Sequence, residues 1–126
     1  MKKISVLIVD DSSVMRKIIE RSLRQAGLEL EKVIEADNGA DALTMVEANA
    51  IDLIFSDVNM PEMNGLEFLR QVQGIEKAKG IPILMITTDG SEQKVVEAIT
   101  LGAKGYIRKP FSADQVRAQV AQLLPQ

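Results

Sequence analysis

Apolar residues in this chain follow two rhythms. Short β-branched runs at Ser5 to Val9, Lys32 to Ala36, Asp52 to Ser56, Pro82 to Thr87 and Lys104 to Arg108 read as strands. The first, third and fourth are apolar nearly throughout, which suits central parallel strands covered on both faces. Stretches of helical period lie between and after them, near residues 13–26, 38–49, 64–74, 91–101 and 112–124. Gly27 and Gly102 stand where helices should stop, and Asn64 with Glu67 and Ser112 with Gln115 resemble capping boxes where helices should start. Within the fourth helical stretch, Val95, Ala98 and Ile99 form one stripe for the core, and Val96 lies about 100° round from Val95, toward solvent.

Five strand–helix units in succession predict a single open, doubly wound parallel sheet with helices on both faces, because right-handed crossovers put them there. A closed eight-unit barrel needs about twice the 126 residues available. The length therefore predicts one domain with one continuous sheet. In such sheets ligands bind beyond the carboxyl ends of the strands, which is where chemistry should be sought.

Composition narrows that chemistry. With 46% hydrophobic and 26% charged residues and a net charge of −3, the chain has the profile of a soluble globular protein, and its scattered basic residues argue against a nucleic-acid partner. It has neither cysteine nor histidine, which removes thiolate sites, disulfides and the commonest transition-metal ligand and general base. Any metal must prefer oxygen. The N-terminal stretch lacks a secretory apolar region, and no run approaches the ~20 apolar residues of a membrane span, so a cytoplasmic protein without membrane insertion is expected.

The strand ends carry Asp10 and Asp11 after the first, Asp57 after the third, Thr87 and Thr88 after the fourth, and Lys109 after the fifth. Two unit charges 4 Å apart repel by about 4 kcal/mol at an effective dielectric of 20, so adjacent acids at a buried strand end want a cation. If the first and third strands are neighbours, three carboxylates converge, a donor set suited to Mg²⁺. A carboxylate oxygen can attack phosphorus, a metal and a lysine can bind the transferring oxygens, and a threonine hydroxyl can bond another, so the set reads as phosphoryl transfer onto aspartate. Taken singly, each residue has a plainer use. Asp10 or Asp11 could cap the following helix, Asp57 could open a turn toward Pro61, Lys109 could be a solvated lysine, and Tyr106 could pack its ring near the surface. Gly65 and Pro61 read as shapers of the loop after Asp57, and Met60 and Met63 as gap-fillers.

The segments LIVDDSSVMR, DLIFSDVNMPEMNGLEFL, PILMITT and LGAKGYIRKPF, in this order and spanning nearly the whole chain, resemble the receiver domain of two-component response regulators, and within it the stand-alone chemotaxis regulators. The resemblance implies a flavodoxin-like fold with strand order 2-1-3-4-5, an order long known for the chemotaxis members and not read from the pattern above. It implies residues 1–126 as one receiver domain with no output domain, Asp57 as phosphoacceptor, and Mg²⁺ on Asp10, Asp11, Asp57 and the backbone carbonyl of Asn59. Thr87 and Lys109 are assigned to the phosphoryl oxygens, Tyr106 to a side-chain switch that follows Thr87, and the Lys109–Pro110 bond to the cis form. Thr88 is a departure, standing where the family usually has alanine or glycine.

The implied function is a phosphoacceptor switch and not a turnover enzyme, one that promotes its own phosphorylation and dephosphorylation. A partner histidine kinase must be the donor, since the chain has no histidine of its own. The expected downstream partner is the flagellar motor switch, with a phosphatase also compatible and a monomer as the expected state. A single-domain phosphorelay intermediate is the main alternative. A flavodoxin-type cofactor module would want a Ser/Thr/Gly-rich loop in place of DDSSVM and more than 3% aromatic residues. A haloacid-dehalogenase-type phosphatase would want its two aspartates one residue apart, and no nucleotide-binding glycine motif follows a strand.

Overall fold

The computed structural model describes residues 3–60, 63–87 and 92–123, with the side chain of Glu92 left out. Within them the strands are β1 (Ile4–Val9), β2 (Leu30–Ala36), β3 (Leu53–Asp57), β4 (Ile83–Thr87) and β5 (Gly105–Arg108), and the helices are α1 (Ser13–Gln25), α2 (Gly39–Ala48), α3 (Gly65–Val72), α4 (Glu92–Thr100) and α5 (Ala113–Leu123). All strand pairs are parallel, in the order β2-β1-β3-β4-β5. The doubly wound sheet that the strand–helix alternation predicts is thus present, in the order that the resemblance implies, with β1 and β3 side by side.

Alternation along each strand divides the core in two. Val6 and Ile8 of β1, Leu53 and Phe55 of β3, Leu84 and Ile86 of β4 and Ile107 of β5 face α1 and α5, where Ile19, Leu23, Val116 and Val120 meet them. Leu7, Val9, Ile54 and Met85 face the other way, toward Val46 of α2, Phe68, Leu69 and Val72 of α3 and Ala98 of α4. Strands sandwiched in this way have no polar face, which is why their sequences read as unbroken apolar runs. No helix among the described residues is long and apolar enough to cross a membrane.

The element ends follow local chemistry. Gly27 and Gly102 adopt φ of 94° and 114°, the left-handed conformation that lets glycine end a helix. Ser112 and Gln115 form a reciprocal capping box, the Gln115 amide donating to Ser112 Oγ at 3.2 Å and the Ser112 amide to Gln115 Oε1 at 2.8 Å. Asn64 caps α3 in one direction only, its Oδ1 accepting from the Glu67 amide at 2.9 Å.

Two differences from the sequence pattern concern helices. Ile99, assigned to the core stripe of α4, is 48% exposed, because α4 meets the sheet chiefly through buried Ala98 while Val95 is only half-buried. A 3-10 turn at Glu76–Ala78 has no counterpart in the pattern, since a single turn has no period to detect.

Candidate functional site

β1 ends at Val9, and the Asp10 amide still donates to the Ala36 carbonyl at 3.1 Å, so the acid pair sits where the sheet runs out. Neither acid caps α1. Ser12 does, its hydroxyl accepting from the Met15 amide at 3.1 Å, and the Asp10 carboxylate instead accepts from the Ser12 amide at 2.9 Å. The plain capping reading of the pair therefore fails. One atom each from Asp10, Asp11 and Asp57 lies within 4.8 Å of the others, Asp10 and Asp57 buried and Asp11 exposed. Three hard carboxylate oxygens in that space fit a small divalent cation that keeps part of its water shell.

Lys109 closes the cluster. Its Nζ lies 3.0 Å from Asp10 Oδ2 and 3.5 Å from Asp57 Oδ2, and its backbone N–H donates to the Thr87 carbonyl at 2.8 Å. The Lys109–Pro110 bond is cis. Lys109 is thus a partly buried cation shared between two acids, and not the solvated surface lysine of the plain reading. Asp57 Oδ1 accepts from the Val58 amide at 2.8 Å, and the Asn59 backbone N–H, on the same turn, also favours the charged carboxylate. Burial pushes the Asp57 carboxyl above its usual range, against the pull of Lys109 and with a further push from Asp10.

Behind Asp57 the chain turns sharply into α3. The Gly65 amide donates to the Val58 carbonyl at 2.7 Å, and a Cβ at Gly65 would collide with the Asp57 carbonyl oxygen and lie 2.8 Å from Val58 Cα. Only glycine fits. Pro61, the other suggested loop shaper, lies outside the described residues, as does Thr88.

Thr87 is fully buried at the end of β4. Counting alternately from Met85 places it on the α4 side of the sheet, the side against which half-buried Tyr106 packs from neighbouring β5. Thr87 and Tyr106 thus share a face, while Asp10, Asp57 and Lys109 meet at the strand ends.

Sequence reasoning passed over Arg16 and Glu35. Arg16 Nη1 donates to the Asp10 carbonyl at 2.6 Å and its Nε to Glu35 Oε1 at 2.8 Å, and Lys17 reaches the other Glu35 oxygen at 3.2 Å. The Arg16 hydrogen bond, above all, holds the Glu35 carboxyl below its usual range. The available signal was an acid inside the otherwise mostly apolar run VIEA.

A family model described as response regulator receiver domain matches residues 6–121. The chain belongs to that family. This receiver is 41% identical over 120 residues to the chemotaxis protein CheY1 of Helicobacter pylori, covering 94% of this chain and 95% of that one. It is 38% identical to the chemotaxis protein CheY of Pseudomonas aeruginosa, covering 94% of each. Among solved structures, the chemotaxis response regulator CheY4 of Vibrio cholerae matches with a TM-score of 0.85 at 37% identity, over 98% of this receiver and all of that chain. A flavodoxin-type cofactor module is set aside by this membership, although the sheet order is shared.

Proposed function

We propose that this receiver takes a phosphoryl group onto Asp57 from the phosphohistidine of a partner kinase, and that the modified form binds a downstream protein. The observation that carries the reading is the meeting of Asp10, Asp11 and Asp57 within 4.8 Å, with one lysine reaching two of them. An Asp57 oxygen attacks phosphorus, the P–N bond to the donor imidazole breaks, and the imidazole leaves with a proton from solvent, giving an acyl phosphate. Lys109 supplies positive charge to the incoming oxygens, and Thr87 offers its hydroxyl from the end of β4. Asp11, Asp57, Asp10 and the Asn59 carbonyl would hold Mg²⁺, which adds positive charge at the transferring group. Both Asp10 oxygens already have partners in Ser12 and Lys109, whereas the Asp11 carboxylate has none among the described residues. Asp57 is likewise engaged by the Val58 amide and Lys109, so Asp11 is the most open of the three ligands.

Two chemotaxis proteins among the relatives favour the flagellar motor switch as the downstream partner, and exposed Val96 and Ile99 on α4, the helix that follows Thr87, offer it an apolar surface. Exposed Val14 and Ile18 on α1, beside the acid turn, favour the second reading of a relay intermediate, since an apolar helical donor could seat there. Acetyl phosphate with Mg²⁺ should label the protein, and neither EDTA-treated protein nor Asp57→Asn should take the label. Full Mg²⁺-dependent labelling of Asp57→Asn at another residue would overturn the assignment.

A further inference from the structure

Every polar group of Asp10 has its own partner. The amide donates to Ala36, Oδ1 accepts from the Ser12 amide, Oδ2 meets Lys109, and the carbonyl accepts from Arg16 Nη1 at 2.6 Å. The last contact differs in kind from the others. A carbonyl just past the end of a strand ordinarily turns to a backbone amide or to water. Here a guanidinium takes it, and the same guanidinium is held through Nε by Glu35 of β2 at 2.8 Å. Glu35 is in register with Ile8, inside the sheet, so this anchor belongs to the rigid part of the fold.

A guanidinium is planar, with its N–H groups in fixed directions. Once Nε is committed to Glu35, the direction of Nη1 is set, and the carbonyl of the Asp10–Asp11 peptide must align with it. The rotation of that peptide decides where the Asp11 side chain leaves the backbone. We infer that Arg16, held by Glu35, is a positioning residue for the acid site: it sets the Asp10–Asp11 peptide so that the Asp11 carboxylate faces Asp57. The inference rests on the reading of the three acids as a Mg²⁺ site, and it adds two residues that do not touch the cation.

Charge alone predicts the opposite effect. Removing a cation that touches the Asp10 carbonyl, at the edge of an acid site, should tighten divalent-ion binding. Loss of a residue that orients a ligand should weaken it, with outer partners typically worth tenfold or more in metal affinity. The two accounts differ in sign for Arg16→Ala. They also differ for Arg16→Lys, which keeps the charge and loses the planar fork.

The full chain, stripped with a chelator, is titrated with Mg²⁺ alone by calorimetry. Backbone amide NMR of the Mg²⁺-free protein and thermal melts in EDTA accompany each variant. Arg16→Ala and Arg16→Lys should each bind Mg²⁺ about tenfold more weakly than wild type, with the Asp11 amide resonance displaced before any metal is added. Glu35→Ala, which removes the acceptor and releases the guanidinium, should shift the same resonance. Unchanged affinity in Arg16→Lys, or tighter binding in Arg16→Ala, overturns the inference. So does a fall in melting temperature with Mg²⁺ affinity and the Asp11 resonance both at wild-type values, which would make the pair a structural tether. If Arg16→Ala does not fold, Arg16→Lys and Glu35→Ala decide. Failure of the wild type itself to bind Mg²⁺ overturns the metal reading and this inference together, whereas normal wild-type binding with unchanged variants overturns the positioning role alone.

Discussion

Replacing Asp57 by asparagine should make the metal-free protein more stable. Lys109, 3.5 Å away, attracts the Asp57 charge by about 4.7 kcal/mol at an effective dielectric of 20. Asp10, with an oxygen within 4.8 Å, repels it by at least about 3.5 kcal/mol on the same scale, and exposed Asp11 adds at least about 1 kcal/mol in a water-like dielectric. The pair terms nearly cancel, and the cost of burying the carboxylate is left standing. This ordering agrees with the upward displacement of the Asp57 carboxyl, whose first cause is burial. Asparagine keeps an oxygen for the Val58 amide and carries no charge to bury. The gain should be about 1–2 kcal/mol, which for a domain of this size corresponds to about 3–10 °C in melting temperature.

The pH dependence follows from the same displacement. A raised carboxyl means that the native state holds the Asp57 proton more tightly than the unfolded chain does. The penalty is therefore complete above the raised value and absent below the ordinary aspartate range near about 3.9. The advantage of Asp57→Asn should shrink as pH falls from neutral, and it should also shrink when Mg²⁺ is added, because only the wild type gains strongly from the ion. Thermal melts by circular dichroism in EDTA, at neutral and acid pH and again with Mg²⁺, read all three effects. A less stable Asp57→Asn in EDTA at neutral pH would mean that the Lys109 attraction outweighs the burial cost and that the cluster is an ordinary structural ion pair.

Other substitutions probe other parts of the argument. Gly65→Ala forces a Cβ against the Asp57 carbonyl and should cost about 2–3 kcal/mol in urea unfolding, and an unchanged midpoint would show that the loop can move aside. Lys109→Ala and Thr87→Ala should still accept phosphoryl groups but lose the coupling to partner binding; wild-type partner affinity in both fully phosphorylated variants would break the proposed route. Val96→Asp or Lys104→Glu, both at exposed positions, should weaken the activated complex without slowing Asp57 labelling, and equal slowing of both would move the effect to the acceptor site.

The sheet was legible because strands covered on both faces have to be apolar, and the helices because their ends carry the residues that satisfy them. β2 was the least well bounded, read from Lys32 and found to begin at Leu30, because an edge strand with exposed Glu31 and Lys32 lacks the signal of a central one. The inward reading of Ile99 failed because periodicity gives the direction of a face and not its width. Each acid of the site was visible as a residue at a strand end. The pairing of Lys109 with Asp10, across 99 positions, depends on β3 and β4 lying between β1 and β5, which no local pattern encodes and which only the family resemblance supplied. Arg16 was invisible for a related reason. Its contacts are a backbone carbonyl and an acid 19 positions away, and neither follows from helical spacing.

Lys109 offers a route by which the proposed modification of Asp57 would move a surface. In the unmodified protein it is divided between Asp10 at 3.0 Å and Asp57 at 3.5 Å, with Asp10 the nearer. Converting the Asp57 carboxylate to an acyl phosphate adds about one negative charge on that side, and one unit charge at 3.5 Å is worth about 4.7 kcal/mol at an effective dielectric of 20. Carrying a two-state equilibrium from 1:99 to 99:1 needs about 5.5 kcal/mol. One redirected ammonium therefore comes close to the requirement, and a hydrogen bond from Thr87, worth about 1.5–3 kcal/mol to a charged acceptor, makes up the difference. The backbone N–H of Lys109 is bonded to the Thr87 carbonyl, and Tyr106 lies three residues before Lys109 on the same face as Thr87. A pull on either side chain would thus act on one connected piece of β4 and β5, next to α4 and its exposed Val96 and Ile99, and away from the α1 and α5 side of the sheet. Double-mutant cycles between Lys109 and Thr87, read in partner affinity of the phosphorylated form, should give a coupling of about 1 kcal/mol or more. Strict additivity would mean that the two residues act separately and that the surface responds to charge alone.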